Sequence, residues 1–151
     1  KVLEMNKKDA TVEQARQAVR WTKEAGLKVW TYMMLGLYGD TEESMNETID
    51  LACDLDADIC NFSISAPYYG TEWGNVAQEK GWLTTNNWNE FDQNYSSIVD
   101  QPNCPHELVS NLQKKAYFKW FLSKRGIRFL GNSIRPEYAT YLFKSALNHL
   151  R

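Results

Sequence analysis

Two consecutive segments of thirty residues decide the fold. Residues 11–40 are TVEQARQAVRWTKEAGLKVWTYMMLGLYGD, and residues 41–70 are TEESMNETIDLACDLDADICNFSISAPYYG. When the first is laid over the second, apolar positions coincide along the whole length, as where Val19 meets Ile49. Chance similarity of two amphipathic helices is the alternative, but the match continues beyond the helical part. An internal repeat of this length indicates one supersecondary unit used twice. A third copy begins at Thr71 and soon fades.

Each unit predicts a helix, a short turn and a strand. In the first unit Thr11 and Gln14 have the spacing of a capping box. Gly26 can close that helix in the left-handed conformation, and residues 28–36 have the β-branched and aromatic content of a buried strand. The second unit repeats the pattern, with its strand at residues 58–66. The apolar stripes of the two helices are Val12, Ala15, Val19 and Thr22, and Met45, Ile49, Ala52 and Leu55.

Strand–helix–strand units of this length predict a right-handed crossover that joins parallel strands. Repetition of such units is typical of a β/α barrel or a doubly wound sheet. We therefore expect an α/β fold, a partial (β/α) barrel fragment with a C-terminal helical extension. The expected parts are βα units at 1–81, an aromatic and polar loop at 82–104, and helices at 105–151, one running from Pro105 to Gly126 and one opening at Pro136.

Composition excludes several classes of protein. The net charge is −2, with 17 Lys and Arg against 19 Asp and Glu, so we expect no nucleic-acid partner. The longest apolar stretch, residues 29–37, is too short to span a bilayer, and a cytoplasmic location is the default expectation. Cys53, Cys60 and Cys104 lie far apart in sequence, which predicts buried thiols and no metal site.

The loops after the two predicted strands are the expected ligand site, because parallel α/β folds bind ligands at the carboxyl ends of their strands. Gly36 and Gly39 could let a flat ligand approach the backbone. Asp40 and Thr41 lie where a helix begins, and free N–H groups there attract polar ligands. The alternative is that the glycines serve turns and the polar residues serve as helix caps.

The repeat also predicts which strand residues share a face. It aligns Thr31, Met33 and Leu35 with Asn61, Ser63 and Ser65. If this face lines a barrel interior, its polar groups need hydrogen bonds or water. That suggests a substrate cavity lined by Thr31, Met33, Asn61 and Ser63 for a small-molecule substrate; an ordinary hydrogen-bonded interior is the alternative.

No catalytic acid, base or nucleophile set is apparent in the sequence. His106 and His149 have no second ligand at metal-binding spacing. The acidic residues at 40–47 have the pattern of a solvated helix start. We therefore predict no catalytic residue and no metal ligand in this chain.

Several motifs, taken in order, resemble the second half of the radical S-adenosylmethionine (SAM) barrel. Residues 25–29, AGLKV, resemble the family's entry to its fifth strand. Residues 34–41, MLGLYGDT, are similar to its I-x-G-x-P-G-E-T, and residues 66–71, APYYGT, to its P-x-P-G-T. Tyr38 and Tyr69 stand where the family has proline. The tail, residues 116–125 with the tryptophans before it, resembles the extension of the cobalamin-binding group, which includes anaerobic magnesium-protoporphyrin ester cyclases and methyltransferases.

The resemblance implies that SAM is held at the carboxyl ends of these strands. Met34 and Gly36 would lie near the adenine, and the backbone of Ser65, Ala66 and Pro67 would contact its edge; the tip residues Gly39 and Asp40 complete the expected set. The resemblance also implies a 4Fe–4S cluster, whose cysteine ligands would lie in an N-terminal barrel half outside this chain, and cobalamin as a further cofactor. The parent would be an oxidative cyclase or a methyltransferase.

The chain lacks a CxxxCxxC motif, so we expect it to be inactive alone and to act with the missing half in cis. An exposed sheet edge would also favour self-association of the isolated chain. Two other functions stay open. One is a non-catalytic α/β module that binds a partner protein, and the other is half of a different β/α enzyme, such as an aldolase-type lyase.

Overall fold

The computed structural model describes residues 1–94 and 96–132. The helix predicted to open at Pro136 lies outside the described residues. A short 3-10 helix covers Trp88–Glu90. The regular elements are α1 (Val2–Met5), α2 (Val12–Glu24), β1 (Trp30–Leu35), α3 (Glu42–Asp54), β2 (Ile59–Ile64), α4 (Glu72–Glu79), α5 (His106–Leu122) and α6 (Lys124–Asn132). The α/β class with parallel βα units is confirmed.

The strands β1 and β2 pair in parallel, as the repeat predicts, but in a register one residue shorter. Tyr32 lies opposite Asn61, an offset of 29 residues (61 minus 32), whereas the repeat gives 30. The cause is the turn before each strand. The helices α2 and α3 begin thirty residues apart, but residues 25–29 connect α2 to β1 whereas only residues 55–58 connect α3 to β2.

This register corrects the predicted strand faces, because a shift of one residue moves every side chain to the other face. Thr31, Met33 and Leu35 lie opposite Cys60, Phe62 and Ile64. The polar Asn61 and Ser63 instead share a face with Tyr32 and Met34. The predicted grouping of Thr31 and Met33 with Asn61 and Ser63 is therefore wrong.

One face of the sheet is covered by α3 and α5, which form the main core against it. Leu35 and Phe62 have no exposed surface, and Trp120 of α5 has 1%. Burying a side chain of this size contributes roughly 1.5–3 kcal/mol. The core residues are Leu35, Met45, Ile49, Ala52, Cys60, Phe62, Ile64, Cys104, Val109, Leu112, Ala116 and Trp120. The opposite face, which we call the open face, carries Trp30, Tyr32, Met34, Ile59, Asn61 and Ser63.

A smaller cluster joins α2 to the amino-terminal ends of the strands. It contains Val19, Val29, Leu55 and Ala57. Asp58 links the same elements. Its carboxylate accepts hydrogen bonds from Lys23 Nζ of α2 at 2.8 and 2.9 Å and from Val29 N, just before β1, at 2.8 Å. Burial opposes ionisation of Asp58, but these bonds outweigh it and lower its pKa.

The helix ends are as predicted in the repeat and differ in the tail. Thr11 caps α2 in a capping box with Gln14, and Thr41 caps α3 in the same way with Ser44. The helix expected to run to Gly126 ends at Leu122, because Ser123 is extended and its Oγ accepts a hydrogen bond from Gly126 N at 3.2 Å. Ser123 thereby caps the first turn of α6.

The two outer edges of the sheet differ. Along β2, Phe62 N–H donates to Tyr117 Oη at 3.1 Å, Gln113 Nε2 donates to Phe62 O at 2.7 Å, and Ile64 N donates to Gln93 O at 2.7 Å. Along β1, the N–H and C=O groups of alternate residues point away from β2. Within residues 1–94 and 96–132, no hydrogen bond to that edge of β1 is found. Trp30 and Tyr32 beside it are 58% and 67% exposed.

No helix among the described residues is long and apolar enough to cross a membrane.

Candidate functional site at the carboxyl end of the sheet

The loop after β1 is a tight turn held by its own residues. Gly36 and Gly39 have positive φ angles, 75° and 79°, which residues other than glycine rarely adopt. Leu37 N donates to Asp40 Oδ2 at 2.9 Å, and Asp40 N donates back to Leu37 O at 3.0 Å. We call residues 36–40 the β1 turn.

The carboxylate of Asp40 points into the protein. Asp40 is 4% exposed, and its Oδ1 accepts a hydrogen bond from Ser44 Oγ at 2.5 Å. Burial raises its pKa, and the bonds from Ser44, Leu37 and Gly36 act in the opposite direction. Asp40 therefore anchors the β1 turn to the start of α3, as the helix-cap interpretation expects.

A residue from far along the chain holds the other side of the β1 turn. Gln101 is 6% exposed. Its Oε1 accepts a hydrogen bond from Gly39 N at 2.9 Å, and its Nε2 donates to Leu37 O at 3.0 Å. No sequence pattern points to Gln101, because it lies in a polar loop without periodicity. Only the folded contact, more than sixty positions away in sequence, identifies it.

The space beside both turn glycines is filled by protein side chains. A Cβ added at Gly36 would lie 3.0 Å from Val109 Cγ1, and one at Gly39 would lie 2.5 Å from Met5 Cε. Asn6 Nδ2 also donates to Tyr38 O at 2.9 Å. On these sides the structure supports the turn interpretation of the glycines, and ligand contact at Gly36 and Gly39 stays a prediction.

The start of α3 is also satisfied internally. Thr41 Oγ1 accepts a hydrogen bond from Ser44 N at 3.2 Å, and Ser44 Oγ accepts one from Thr41 N at 2.9 Å. Two of the N–H groups that could attract a polar ligand at this helix start are therefore engaged.

The loop after β2 lies directly beside the β1 turn. Ser65 N donates to Leu35 O at 2.8 Å, so the carboxyl ends of both strands reach the same edge. Ser65 and Pro67 are buried, and Ala66 is half-buried with its carbonyl accepting a bond from Tyr68 N at 3.0 Å. Thr71 then caps α4. The structure thus brings the starts of the two loops together at Leu35 and Ser65. A shared ligand site formed by Gly36, Gly39, Asp40 and residues 65–67 stays a prediction.

A chain of hydrogen bonds crosses the open face below these loops. Tyr117 Oη donates to Asn61 Oδ1 at 2.8 Å, and Asn61 Nδ2 donates to Ser63 Oγ at 2.9 Å. Burial raises the pKa of Tyr117. Met34 is the register partner of Ser63 and lies half-buried on the same face. Of the predicted ligand residues, Met34, Asn61 and Ser63 therefore share one surface, whereas Thr31 and Met33 belong to the face that carries the main core.

Aromatic rings cover the rest of this edge. Tyr38 contacts Trp73 and Trp82 with ring centroids 5.3 and 6.3 Å apart. Beyond them the exposed Trp88 stacks on Tyr69 at 5.7 Å with an interplanar angle of 19°. Trp73 and Trp82 pack against a cluster of Phe91, Ile98 and Val99, and the rings of Tyr69 and Trp88 each contact Phe91 at 5.3 Å. The described residues of the loop at 82–104 thus lie over the strand ends; Tyr95 is outside the described residues.

The described residues bring no set of metal ligands together at this surface. No group of three His, Cys, Asp or Glu side chains that could hold a metal occurs in the described part of the chain. Burial raises the pKa of Cys60 to about 11 and of Cys104 to about 12, which disfavours the thiolate that metals bind. His106 Nδ1 instead lies 2.6 Å from Asp100 Oδ1 at the start of α5. His149 lies outside the described residues.

Two shallow clefts lie away from this site, between α2 and α3. Their volumes are about 370 and 270 Å³. Several charged groups there are already paired, as where Arg16 meets Asp54 at 3.6 Å and Lys23 meets Asp58 at 2.8 Å. These clefts are grooves between neighbouring helices, and the strand ends remain the better candidate site.

Comparison with known proteins links the chain to enzymes over part of its length. No family model matches it. An uncharacterized methyltransferase of Pyrococcus horikoshii is 30% identical over 122 residues, which are 81% of this chain and 26% of that protein. Anaerobic magnesium-protoporphyrin IX monomethyl ester cyclases of Rubrivivax gelatinosus and Cereibacter sphaeroides are each 30% identical over 66 residues, 44% of this chain and 12% and 11% of the cyclases. The chain thus spans about a quarter or less of the length of these relatives.

Proposed function

We propose that this chain is the second half of the barrel of a radical SAM enzyme and supplies part of its SAM and substrate site. One observation carries the proposal. Two consecutive βα units lay parallel strands side by side, and their carboxyl ends meet where Ser65 N donates to Leu35 O at 2.8 Å. Ligands of parallel α/β folds bind at that edge. The similarity to a methyltransferase and to cyclases supports a parent of either kind.

The open face is the surface that we assign to the ligands. Met34 offers a half-buried thioether, and Asn61 and Ser63 offer a fixed row of polar groups. SAM would lie across Met34 and the main chain of residues 65–67, and the substrate would meet Asn61 and Ser63. Bound there, with a reduced 4Fe–4S cluster held elsewhere in the parent, SAM would supply the radical that takes a hydrogen atom from the substrate. This chain's residues hold the reactants in place and exclude water.

The cluster itself does not fit this chain. Cys60 and Cys104 are buried with raised pKa values, and Cys53 has a pKa raised by burial as well. We therefore assign the cluster ligands, and any cobalamin site, to the rest of the parent protein. The outer edge of β1 is where a preceding strand of that barrel half would pair, because the outer edge of β2 is already closed by Gln113 and Tyr117.

The proposal predicts that a longer protein containing this chain cleaves SAM reductively to 5′-deoxyadenosine and methionine, and that this chain alone does not. Met34→Ala should raise the KM for SAM in that longer protein, because the thioether contact is lost. Met33→Ala, at the neighbouring half-buried methionine that faces the main core, is the control and should leave that KM unchanged. Cleavage by the isolated chain after iron–sulfur reconstitution would contradict the proposal, as would an unchanged KM in Met34→Ala.

A partner-binding module is the second candidate, favoured by the exposed rings of Tyr69 and Trp88 at 39% and 56%. It predicts that the longer protein neither binds nor cleaves SAM and that Trp88→Ala abolishes binding of a protein partner. Equilibrium dialysis with labelled SAM separates the two candidates.

A further inference from the structure

We propose that Gln101 is a positioning residue for the site at the carboxyl end of β1. Its carboxamide spans the β1 turn, accepting from Gly39 N at 2.9 Å and donating to Leu37 O at 3.0 Å. Both polar atoms of the side chain are therefore committed to the backbone of the loop. The inference rests on the proposed function, since it concerns how that site is held in shape.

The β1 turn depends on this contact for geometric reasons. Gly36 and Gly39 both have positive φ angles, and glycine backbone costs the most entropy to fix. The turn's own bonds join Leu37 to Asp40, which leaves Gly39 N and the second lone pair of Leu37 O for Gln101. Removing the carboxamide would leave Gly39 N–H, which is only partly exposed, without its partner.

The residues near Gln101 in the chain are held in place by contacts of their own. Asp100 Oδ1 accepts a hydrogen bond from His106 N at 2.9 Å and so fixes the start of α5. Cys104 is fully buried against Met45, with its Sγ 3.9 Å from Met45 Sδ. Val109, one turn into α5, packs against Gly36. The end of the polar loop and the start of α5 thus pack against the β1 turn and α3.

The chain offers a closely matched control. Gln113 is 2% exposed, close to the 6% of Gln101, and its Nε2 also donates to a backbone carbonyl, Phe62 O at 2.7 Å. It holds the outer edge of β2 and does not touch the β1 turn. Gln101→Met and Gln113→Met each replace a buried carboxamide by an apolar chain of similar length, so both should lower Tm.

The test uses the longer protein that carries this chain, with hydrogen exchange and SAM binding as two readouts. In Gln101→Met we expect the Gly39 amide to exchange at least about 10-fold faster, the equivalent of one lost hydrogen bond. The Kd for SAM should rise by a similar factor. In Gln113→Met we expect both quantities to stay within about twofold of the wild type, although its Tm falls.

The outcomes distinguish a failure of the inference about Gln101 from a failure of the proposed function. Unchanged exchange at Gly39 in Gln101→Met overturns the inference, whatever happens to SAM. Faster exchange with an unchanged Kd, in a wild type that binds SAM, overturns it as well, because Gln101 would then be only structural. If the wild type does not bind SAM, the proposed function has failed, and the inference about this site falls with it even where the exchange result agrees.

Discussion

Replacing Gly36 by alanine tests whether the β1 turn is packed against protein. Alanine at a φ of 75° is strained by about 1–2 kcal/mol, and the loss of glycine's freedom in the unfolded chain returns roughly 0.4–1 kcal/mol. Gly26→Ala, at φ 74° with nothing within 4 Å of the added Cβ, should show this backbone effect alone, about 1 kcal/mol.

Gly36→Ala should cost more because of Val109. The added Cβ would lie 3.0 Å from Val109 Cγ1 and 3.3 Å from its Cγ2, inside ordinary contact distance. Overpacking of this kind adds about 1–3 kcal/mol. We therefore expect Gly36→Ala to lower the free energy of unfolding by about 2–4 kcal/mol in urea denaturation, followed by tryptophan fluorescence.

A double-mutant cycle isolates the contact. In a Val109→Ala background both Cγ atoms are gone, so Gly36→Ala should cost only the backbone strain, about 1 kcal/mol. The coupling energy of the cycle should be about 1–3 kcal/mol. A cost for Gly36→Ala equal to that of Gly26→Ala, or a coupling near zero, would refute the packing of Val109 on this turn.

Three other predictions follow from named contacts. The buried thiols of Cys60 and Cys104 should react with iodoacetamide only on unfolding, after the half-buried Cys53; rapid labelling of either in the native chain would contradict their burial. Asp58 has a lowered pKa in the folded chain, so its contribution is present above its unfolded pKa, near 3.9, and is lost as pH falls through the folded value. The effect should stay below about 1 kcal/mol because the pair with lysine is partly exposed, and urea midpoints of the wild type should fall more steeply below pH 4 than those of Asp58→Asn. The isolated chain should self-associate through the outer edge of β1, which has no charge or proline; Tyr32→Lys should shift sedimentation toward monomer, and a wild type that stays monomeric at high concentration would exclude this edge contact.

The repeat predicted the fold because its signals are local. The capping pair of Thr11 with Gln14 and the apolar stripe of α3 depend on neighbours a few positions away, and both formed as expected. In α2 only Val19 of the predicted stripe is buried, and Val12 is 46% exposed. The strand register did not follow from the same pattern, since the turn before β2 is one residue shorter than the turn before β1. Because side chains alternate between the two faces of a strand, a shift of one residue exchanges the faces. Asn61 and Ser63 therefore lie on the face of Met34.

The sequence predicts where the candidate site lies, but it does not predict which residues hold its loops in place. Parallel strands bring their carboxyl ends together whatever the loops contain, so the adjacency of Gly36 and Ser65 followed from topology. The roles of Gln101 and Val109 depend on contacts across long sequence separations, and no spacing in the sequence encodes them. Whether Gly39 and Ala66 contact a ligand stays a prediction.

Hydrogen exchange along β1 shows whether another strand pairs with its outer edge, as half of a barrel requires. The amides of Tyr32 and Met34 point to the outer edge of β1, whereas those of Thr31 and Met33 bond to β2. The amides of Tyr32 and Met34 should exchange quickly in the dilute isolated chain and become strongly protected in a longer protein that contains it. Those of Thr31 and Met33 should be protected in both. Equal, rapid exchange of Tyr32 and Met34 in the longer protein would mean that no strand pairs with this edge, and the assignment to a barrel would be wrong.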